Sequence, residues 1–470
     1  MKLLDTNQIR AADQMAIEQG ISGFYLMQRA AAAICSHIEQ ISQGPCNVVV
    51  IAGGGNNGGD ALVAAGLLKQ RDYKLDVHIL CPINRLKGDA AQAATLWREQ
   101  GGTTIEGYNQ EAFKSSVQNA DIIIDGLFGA GLNKPVEGDY AKVIHEVNMA
   151  NKLVIAIDIP SGIDGDTGKI YGTAINASHT VSFVRPKLGH YLYPGRKNTG
   201  QLTIHEIGIP ERIVNQISSD ISLNTPSLWN ANFINKADDS HKYHQGTVLV
   251  VGGDETMQGA SVLASNAALR TGAGLVTLSR SVKNAQPHPN SFSAIMLSTM
   301  PNLNDPPESQ EQNWSEFLKN KKINTVLIGP GHTPDKQTRN LTLTLLQEET
   351  NLIIDAGAIT AFENNKDELF QAIKKHNEIT DKKQVILTPH EGEFKRLFSA
   401  IGQNGKLAAA KDAAQLSGAI IILKGADTVI AAPDGRGAIN DNAPPTLATG
   451  GTGDVLAGIV TGLIAKGMMG

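Results

Sequence analysis

A glycine-rich loop in the first half of the chain lies between a short apolar run and a helical pattern. The stretch reads Val48-Val-Val-Ile-Ala-Gly-Gly-Gly-Asn-Asn-Gly-Gly-Asp60. Backbone amides in such a loop can approach a phosphate closely, and the N-terminus of the following helix adds a favourable partial charge. A tight turn without a ligand also explains the glycines, but Asn56, Asn57 and Asp60 add oxygen atoms that packing alone does not require. The loop therefore predicts a site for an anionic small molecule.

Two further carboxylates follow apolar runs in the same half of the chain. One begins Asp125-Gly-Leu-Phe-Gly-Ala-Gly131, and the other begins Asp158-Ile-Pro-Ser-Gly162. Taken singly, each aspartate is as readily a turn or cap residue. Because ligands of open parallel sheets bind beyond the carboxyl ends of the strands, three such ends with carboxylates and glycines predict one shared site. A positioned carboxylate can shuttle a proton there, and Asp158 is the candidate.

A second motif with chemical potential stands near the end of the chain, in Ala448-Thr-Gly-Gly-Thr-Gly-Asp-Val-Leu-Ala-Gly458. Glycine amides at a helix N-terminus suit a phosphoryl group in transfer, and Asp454 can accept a proton from an attacking hydroxyl. The helix dipole alone also favours an aspartate in a first turn, but the surrounding glycines favour a phosphoryl-transfer site. Lys424 can meet a phosphate as a point charge. His390 is equally well explained as a loop histidine without a ligand.

Alternating short strands and helices are expected to position these groups, as in βαβ units. Two helices are predicted before the first sheet, with Thr6 capping the first and Gly20 ending it. Residues 281–314 are rich in Pro, Asn and Ser and predict irregular structure. The predicted strands are Asn47–Ala52, Leu75–Leu80, Asp121–Asp125, Leu153–Asp158, Thr180–Phe183, Val248–Val251, Leu275–Leu278, Thr325–Ile328, Leu352–Asp355, Val385–Leu387 and Ile420–Leu423, and the other predicted helices are Tyr25–Ile41, Gly59–Gln70, Gly88–Gln100, Gly259–Thr271 and Asp454–Ala465.

Composition bounds the domain count and the class of partner. At 470 residues the chain exceeds what one core usually organises, and a Ser- and Asn-rich stretch predicts a linker over 216–235 between domains at 1–215 and 236–470. A formal charge of −5 with mixed signs favours small molecules over nucleic acid or membrane as partners. Three cysteines without C-x-x-C spacing and the lack of a signal or membrane-spanning stretch predict a cytoplasmic protein.

Residues 1–215 resemble the NAD(P)H-hydrate epimerase family. The resemblance rests on the three motifs of this half together with Phe183-Val-Arg-Pro-Lys-Leu-Gly189. It implies a Rossmann-like three-layer sandwich that interconverts the R and S forms of hydrated NADH or NADPH, and a K⁺ ion held by oxygen atoms of Asn57, Asp125 and Ser161. The implied substrate contacts are Asn56, Asn57, Gly58, Gly59, Asp60, Gly129, Ala130, Gly131, Leu132, Asn133, Lys134, Pro135, Tyr140 and Asp158.

Residues 236–470 resemble the ADP- or ATP-dependent NAD(P)H-hydrate dehydratase family, a branch of the ribokinase-like α/β fold. The Asp454 motif, Leu387-Thr-Pro-His-Glu-Gly-Glu-Phe394 and Ile328-Gly-Pro-Gly331 carry the resemblance. It implies phosphorylation of the ring hydroxyl, loss of phosphate, Asp454 as base and a need for Mg²⁺. The implied substrate contacts are Ala260, Gly331, His390 and Asp454, and the implied nucleotide contacts are Lys424, Gly425, Ala426, Asp427, Thr428, Pro444, Pro445, Thr446, Leu447, Ala448, Thr449, Gly450, Gly451, Thr452 and Gly453.

The chain departs from these family patterns in three places. Gln28 replaces the glutamate of the Leu-Met-Glu pattern of epimerases. Gly357 replaces the second aspartate of the Asp-Ala-Asp pattern of dehydratases. The chain also stops at Gly470, whereas the resemblance implies further helices after the Asp454 helix, so a less stable second domain is expected. Lys187 either assists Asp158 by its charge or lies over the domain surface.

Two other functions remain open at this stage. The second half can be a vitamin or sugar kinase, because the Asp454 motif indicates phosphoryl transfer but does not identify the molecule that accepts the phosphoryl group. The chain can also be a nucleotide-binding regulatory protein with decayed sites at Gln28 and Gly357. The epimerase-like half disfavours the first, and the retained Asp158 and Asp454 disfavour the second. We therefore expect a bifunctional metabolite-repair enzyme that forms a homo-oligomer. The sequence does not decide between ADP and ATP as the co-substrate, or between NADH hydrate and NADPH hydrate as the substrate.

Overall fold

The computed structural model describes residues 1–233, 241–280, 294–299, 307–379, 383–399 and 404–468. The chain divides into two compact units, Lys2–Ile221 and Ser222–Gly470, the second of which includes Met1. Each unit carries its own β-sheet with flanking helices, so the predicted two-domain α/β class is confirmed. The division between the units falls inside the stretch predicted as a linker.

The first unit is built from seven strands and eight helices. Every strand pairing in its sheet is parallel. The strands are β1 (Asn47–Ala52), β2 (Lys74–Ile79), β3 (Ile105–Glu106), β4 (Ile122–Gly126), β5 (Leu153–Ile157), β6 (His179–Phe183) and β7 (Gln201–His205), and the helices are α1 (Thr6–Glu18), α2 (Gly23–Ile41), α3 (Asn56–Lys69), α4 (Gly88–Glu99), α5 (Gln110–Asn119), α6 (Gly138–Met149), α7 (Gly195–Thr199) and α8 (Glu211–Val214).

Alternate residues of β1 face two different cores. Val48 and Val50 pack with α2, α3 and α4, whereas Val49 and Ile51 pack with α5 and α6. A strand covered on both faces needs a continuous apolar run, which is the pattern that its sequence shows. Helices therefore lie on both sides of the sheet, and the predicted three-layer sandwich is confirmed for this unit.

The strand order of this sheet is β3-β2-β1-β4-β5-β6-β7. The chain adds strands on one side of β1 first and on its other side from β4 onward. In an open parallel sheet the crevice outside the carboxyl ends of the strands at such a reversal is where ligands bind. The glycine-rich loop leaves β1 at this crevice.

Helix α1 is capped by Asp5 and not by the predicted Thr6. The Asp5 carboxylate accepts from the backbone N–H of Gln8, and the Gln8 side chain accepts from the backbone N–H of Asp5, both at 2.8 Å. This reciprocal capping box satisfies two helix-terminal amides, which explains why the helix begins one residue after Asp5. Thr6 lies in the first turn and donates from its N–H and its hydroxyl to Asp166.

The described residues of the second unit form a ten-stranded sheet. Its strands are β8 (Ile221–Leu223), β9 (Thr247–Val251), β10 (Leu275–Arg280), β11 (Met296–Thr299), β12 (Thr325–Ile328), β13 (Asn351–Ile354), β14 (Val385–Leu387), β15 (Ile420–Leu423), β16 (Val429–Ala431) and β17 (Gly437–Ile439). Its helices are α9 (Pro226–Trp229), α10 (Gln258–Arg270), α11 (Pro307–Asn320), α12 (Lys336–Leu345), α13 (Ala356–Thr360), α14 (Lys366–Ile379), α15 (Glu391–Leu397), α16 (Lys406–Ser417) and α17 (Thr452–Ala465).

The strands of this sheet lie in the order β11-β10-β9-β12-β13-β14-β15-β16-β17-β8. Neighbours from β11 to β15 pair in parallel, and β16 pairs antiparallel with both β15 and β17. Strand β8 and helix α9 lie within the predicted linker, so that stretch is more regular than its polar composition indicates.

The prediction of irregular structure over 281–314 is wrong for part of that stretch. Strand β11 and the first half of α11 lie in it, while 281–293 and 300–306 fall outside the described residues. β11 is an edge strand, and Met296 and Leu297 are both exposed. Because an edge strand buries little of its surface, its sequence lacks the strong apolar pattern of the central strands.

Helix α17 packs closely on α10 through glycines. A Cβ at Gly458 or at Gly462 would press against the backbone carbonyl oxygen of Ala264 or Ala268. Close packing of this helix fixes the position of Asp454 in its first turn. Among the helices that the structure describes, none is long and apolar enough to cross a membrane.

Candidate functional sites

A cavity of about 760 Å³ opens in the first unit beside the loops that follow β1, β4 and β5. Its position is the one expected of a ligand site in a parallel sheet, at the reversal of strand order. Most of the predicted substrate contacts line it. They are Asn56, Asn57, Asp60, Gly129, Ala130, Gly131, Leu132, Asn133, Lys134, Pro135, Tyr140 and Asp158.

Two of the predicted contacts, Gly58 and Gly59, do not line the cavity. Both are buried in α3, where a Cβ at Gly58 would clash with the Gly53 carbonyl and one at Gly59 would clash with the Met27 side chain. A Cβ at Gly53 would clash in turn with the Leu127 carbonyl. These glycines therefore permit the close backbone packing that shapes the cavity wall. Direct contact of Gly58 and Gly59 with the substrate stays a prediction.

Asp158 forms an ion pair with a buried lysine. The Lys187 ammonium lies 2.5 Å from Asp158 Oδ1, and the Lys187 side chain is 1% exposed. Lys187 also donates to Ser182 Oγ at 3.1 Å, while the backbone N–H of Ala130 donates to Asp158 Oδ2 at 3.3 Å. Lys187 thus lies inside the site, and the alternative that it covers the domain surface is wrong.

His190 holds the backbone beneath this pair. Its Nδ1 accepts from the Lys187 N–H at 3.1 Å, which leaves Nε2–H to donate to the Asp158 carbonyl at 2.9 Å. Burial lowers the pKa of His190 to about 3, so the ring is neutral. Asp158 itself has φ of 66°, a conformation that costs energy for a residue with a Cβ. The backbone that presents the carboxylate is therefore held by its surroundings.

Charge keeps Asp158 ionised despite its burial. Burial raises the pKa of this carboxyl, but the Lys187 ammonium and the hydrogen bonds to the carboxylate outweigh it and hold the pKa below its ordinary value. Asp13 and Asp60 line the same cavity without such a close partner. Burial raises the pKa of Asp13 to about 6 and raises that of Asp60 well above its ordinary value. Among the carboxyl groups that line the cavity, Asp158 is therefore held in its anionic form, whereas Asp13 and Asp60 hold protons more tightly.

Asp125, Ser161 and Asn57 meet around the backbone of Phe128. Ser161 Oγ donates to Asp125 Oδ1 at 2.6 Å, Asn57 Nδ2 donates to the Phe128 carbonyl at 3.0 Å, and Ser161 Oγ accepts from the Phe128 N–H at 2.8 Å. The backbone N–H of Ser161 also donates to Asp125 Oδ2. Burial raises the pKa of Asp125 to about 6, although the hydrogen bonds from Ser161 and Leu127 act to lower it. The structure thus brings together the three residues predicted to hold K⁺.

Helices α1 and α2 supply a wall that sequence reasoning missed. Arg10 and Asp13 of α1 and Leu26 and Met27 of α2 line the cavity, whereas Gln28 is exposed and does not. The signal was weak, because single polar residues on a surface helix are common. The departure at Gln28 therefore leaves the cavity lining unchanged.

The second site lies at the carboxyl ends of β12 to β15. Lys424 follows β15, and its ammonium lies 2.8 Å from Oδ1 of Asp355, which follows β13. Thr388, which follows β14, donates from its hydroxyl to the same oxygen at 2.7 Å. Asp355 is 1% exposed. This ion pair fixes the Lys424 side chain, which sequence reasoning had treated as a free point charge.

Asp454 lies in the first turn of α17, next to this pair. The N-cap of the helix is Gly451, with φ of 89°, a left-handed conformation that glycine adopts without strain. Burial raises the pKa of Asp454, and Asp355 raises it further while Lys424 lowers it. The predicted nucleotide-contact residues Pro444–Gly450 are exposed, so their backbone groups are accessible. A Cβ at Gly453 would lie 3.6 Å from Lys424 Nζ.

The loop after Lys424 is held by a cation that sequence reasoning missed. Lys406 Nζ lies 2.6 Å from Asp427 Oδ1, and Asp427 is 4% exposed. The Thr428 hydroxyl donates to the Gly425 carbonyl at 2.8 Å. Asp427, one of the predicted nucleotide contacts, thus forms a buried ion pair with Lys406 that shapes the loop, and its contact with a nucleotide stays a prediction. Ala426 belongs to the same loop.

The predicted substrate contacts of this unit lie on three elements. Ala260 lies in the first turn of α10, Gly331 follows β12, and His390 is the N-cap of α15. His390 Nδ1 accepts from the N–H groups of Gly392 and Glu393, Nε2 lies 3.5 Å from Glu393 Oε1, and the ring is 56% exposed. His390 is therefore both a structural cap and an accessible donor.

Sites of this kind, at the strand ends of open parallel sheets and beside glycine-led helix termini, define an α/β protein that handles nucleotides or related phosphates. Among the described residues, no group of three or more His, Cys, Asp and Glu side chains could hold a metal ion.

Comparison with known proteins identifies the family. Residues 23–189 match the model for the YjeF-related protein N-terminus, and residues 248–468 match that for NAD(P)H-hydrate dehydratase. The whole chain is 33% identical to a bifunctional NAD(P)H-hydrate repair enzyme of Moorella thermoacetica, covering 89% of that protein, and 31% identical to one of Thermofilum pendens, covering 88%. The chain belongs to the bifunctional NAD(P)H-hydrate repair enzyme family.

A solved structure is also similar to part of the chain. An ADP/ATP-dependent NAD(P)H-hydrate dehydratase from Bacillus subtilis, co-crystallised with ATP and Mg²⁺, matches 53% of this chain and 81% of its own, with 26% identity and a TM-score of 0.41.

Proposed function

We propose that this chain repairs NADH and NADPH that carry a water molecule on the nicotinamide ring. The first unit epimerises the hydrated carbon, and the second removes the hydroxyl at the expense of ADP or ATP. The observation that carries the proposal is the pairing of two sites on one chain of this family: the Asp158–Lys187 cavity and the Asp355–Lys424 pair beside Asp454.

In the first unit, Asp158 is the group that handles the proton. Epimerisation requires the hydroxylated carbon to lose and regain its configuration, so a proton must reach and leave the hydroxyl oxygen. Lys187 keeps the carboxylate ionised, and His190 fixes its backbone. The loop residues that line the cavity, among them Asn56 and the stretch Gly129–Pro135, are placed to contact the nucleotide.

Potassium suits the group formed by Asn57, Asp125 and Ser161. Asp125 is a buried carboxyl group whose pKa burial raises, so a bound monovalent cation would stabilise its ionised form. The donors are hard oxygen atoms, as alkali and alkaline-earth ions prefer. Bound there, K⁺ would organise the loops after β4 and β5 next to the nucleotide. The three residues otherwise stabilise these loops by their hydrogen bonds to Phe128.

In the second unit, Asp454 accepts the proton of the ring hydroxyl as that oxygen attacks a phosphoryl group. The raised pKa of Asp454 makes it a stronger base than an ordinary aspartate. Lys424, fixed by Asp355, faces the phosphates, and the glycines before α17 offer backbone amides to the transferring group. Phosphorylation turns the hydroxyl into a good leaving group. Departure of the phosphate with the C–O electron pair, together with loss of a proton from the adjacent ring carbon, restores the C=C bond of the dihydronicotinamide.

Magnesium fits this site through few protein ligands. Mg²⁺ commonly uses one or two carboxylates together with substrate phosphates and water. The buried Asp355 is paired with Lys424 and the second family carboxylate is replaced by Gly357, so the phosphates and water would supply most of the ligands of the ion. The ion would neutralise charge on the phosphates of ADP or ATP.

A progress curve with both epimers resolved by chromatography tests the proposal. Unmodified protein supplied with ADP or ATP should convert essentially all of a mixed-epimer sample of hydrated NADH. Asp158→Asn should consume one epimer quickly and the other at the slow uncatalysed rate of epimerisation. Equal consumption of both epimers by Asp158→Asn and the unmodified chain would remove Asp158 from the mechanism.

A second variant tests the dehydratase half. Asp454→Asn keeps the shape of the side chain but cannot accept a proton, so dehydration should stop while nucleotide binding persists. Phosphorylation of an added vitamin or sugar by the unmodified chain, without return of dihydronicotinamide absorbance, would instead identify a kinase. A cytoplasmic location and assembly into a homo-oligomer remain predictions, and gel filtration checks the second.

A further inference from the structure

Besides Asp158, the epimerase cavity is lined by Asp13, a residue that no motif of the first unit includes. Asp13 lies on α1, whereas Asp158 follows β5 at the sheet, and both line the cavity. Ala12 and Ala16 of α1 are fully buried against the core, so the helix is fixed and Asp13 is held at the cavity wall. Asp13 and Asp158 therefore line the cavity from two different elements.

Lys187 couples these two carboxyl groups. Its ammonium is 2.5 Å from Asp158 and its charge also acts on Asp13. The other charged and titratable groups that line the cavity with Asp13 are Asp158, Asp60 of α3, Asp89 of α4, Arg10 of α1, Tyr140 of α6, and Lys134 and Glu137 between β4 and α6. Burial is the largest influence on the pKa of Asp13 and raises it to about 6, whereas that of Asp158 is lowered. Two carboxyl groups with opposed environments suit opposite roles in proton transfer.

We propose that Asp13 is the second catalytic residue of the epimerase, donating a proton to the departing hydroxyl while Asp158 accepts one from the returning water. This inference rests on the epimerase function proposed above. Asp13 reaches the oxygen from α1, and Asp158 reaches it from the sheet.

The step balances without an oxidant or a further reactant. Hydration of an enamine places the hydroxyl on the carbon bonded to the ring nitrogen. The C–O bond breaks with its electron pair going to oxygen, which takes the Asp13 proton and leaves as water, while the nitrogen lone pair forms a C=N bond. Water then adds to the other face of that carbon, the C=N electrons return to nitrogen, and the released proton goes to Asp158. Conversion in the opposite direction exchanges the two roles, as microscopic reversibility requires.

Asp13→Asn in the full-length chain tests this role, with Glu18→Gln as its matched control. Glu18 lies on the same helix, is exposed and does not line the cavity. The rate of interconversion of purified R and S hydrate is measured without nucleotide, after subtraction of the uncatalysed rate. Asp13→Asn should lower kcat by about 100-fold or more, the usual contribution of a general acid, with KM changed little. Glu18→Gln should leave both unchanged.

The pH profile separates a catalytic role from a structural one. In the unmodified chain, kcat should fall on the alkaline side as Asp13 loses its proton, and Asp13→Asn should lack this limb. Asp13→Glu, which keeps the acid, should restore part of the rate and the limb. Dehydration of the accepted epimer by the same preparation reports on the second unit, and hydrogen exchange of α1 peptides reports on the fold of the first.

The outcomes are distinguishable. An unmodified chain that does not interconvert the epimers overturns the proposed epimerase and this inference with it. An unmodified chain that does so, together with Asp13→Asn within a few-fold of its kcat, overturns only the role of Asp13. If Asp13→Asn disturbs the fold, the decision falls to Asp13→Glu, where a full rate without the alkaline limb would contradict direct proton transfer by Asp13.

Discussion

Gly357 lies against the backbone carbonyl oxygen of His332, so close that a Cβ at position 357 would overlap that oxygen. The second carboxylate of the family pattern therefore cannot be restored here by substitution alone, because the segment after β12 occupies its space. The backbone around Gly357 is thus packed for a glycine, and the loss of the family carboxylate goes together with this close packing.

Replacement of Gly357 by aspartate should destabilise the second unit by about 1–3 kcal/mol, the usual cost of overpacking, and should not raise dehydratase activity. Gly259→Ala is the matched control, since a Cβ there meets no atom within 4 Å and alanine favours a helix. Chemical denaturation with hydrogen exchange of peptides from β13 and α13 measures the change. If these peptides of Gly357→Asp were protected from hydrogen exchange as well as, or better than, those of the unmodified chain, the segment after β12 would be shown to move aside freely.

Asp355→Asn should move the acid limb of the dehydratase pH profile to lower pH. Asp355 raises the pKa of Asp454 and Lys424 lowers it, so loss of the Asp355 charge removes a raising influence and leaves the lowering one. Asp454 accepts a proton only above its pKa, and the limb follows that pKa. Activity is followed across pH at saturating nucleotide; an acid limb displaced upward would contradict the proposed coupling.

Potassium should protect the first unit against unfolding, and Asp125→Asn should abolish the effect. A ligand that binds only the folded state stabilises it by mass action, and Asp125 is the buried charge of the proposed site. Asp76→Asn, a change at an exposed carboxylate on β2, is the control and should retain the effect. Hydrogen exchange is compared in potassium chloride and in tetramethylammonium chloride at equal ionic strength. The K⁺ site would be excluded by identical protection in both salts.

His190 should make the first unit less stable as pH falls. Its pKa is lowered from 6.5 to about 3 in the folded chain, because burial and the Lys187 charge disfavour protonation. Between these values the unfolded chain binds a proton that the folded chain does not. Stability is therefore complete above about 6.5 and is lost toward 3, by at most about 1.4 kcal/mol for each pH unit.

The difference between the unmodified chain and His190→Gln isolates this contribution. Asp13 and Asp125, whose pKa values are raised to about 6, act in the opposite direction in both proteins and cancel in the comparison. Urea unfolding of the first unit, read by hydrogen exchange at several pH values, should show a flatter pH dependence in His190→Gln. The exposed His145→Gln serves as the control, and its slope should match that of the unmodified chain.

Local pattern determined the architecture of this protein. Continuous apolar runs predicted β1, β12, β14 and β15 to within a residue, because buried parallel strands are covered on both faces and admit few polar residues. Glycines near aspartates indicated the loops that follow the strands. The resemblance to the family indicated the reactions and the substrates. Edge strand β11 was missed, since it buries little surface.

Only the tertiary structure decided which groups act on one another. Lys187 looks like an ordinary surface lysine in the sequence, yet it is buried against Asp158, and Asp13 shares their cavity from a helix far earlier in the chain. The Asp355–Lys424 pair likewise joins two residues that follow different strands, β13 and β15. Charge and burial set these protonation states, and both depend on neighbours that the fold brings together across long sequence separations, which local pattern does not encode.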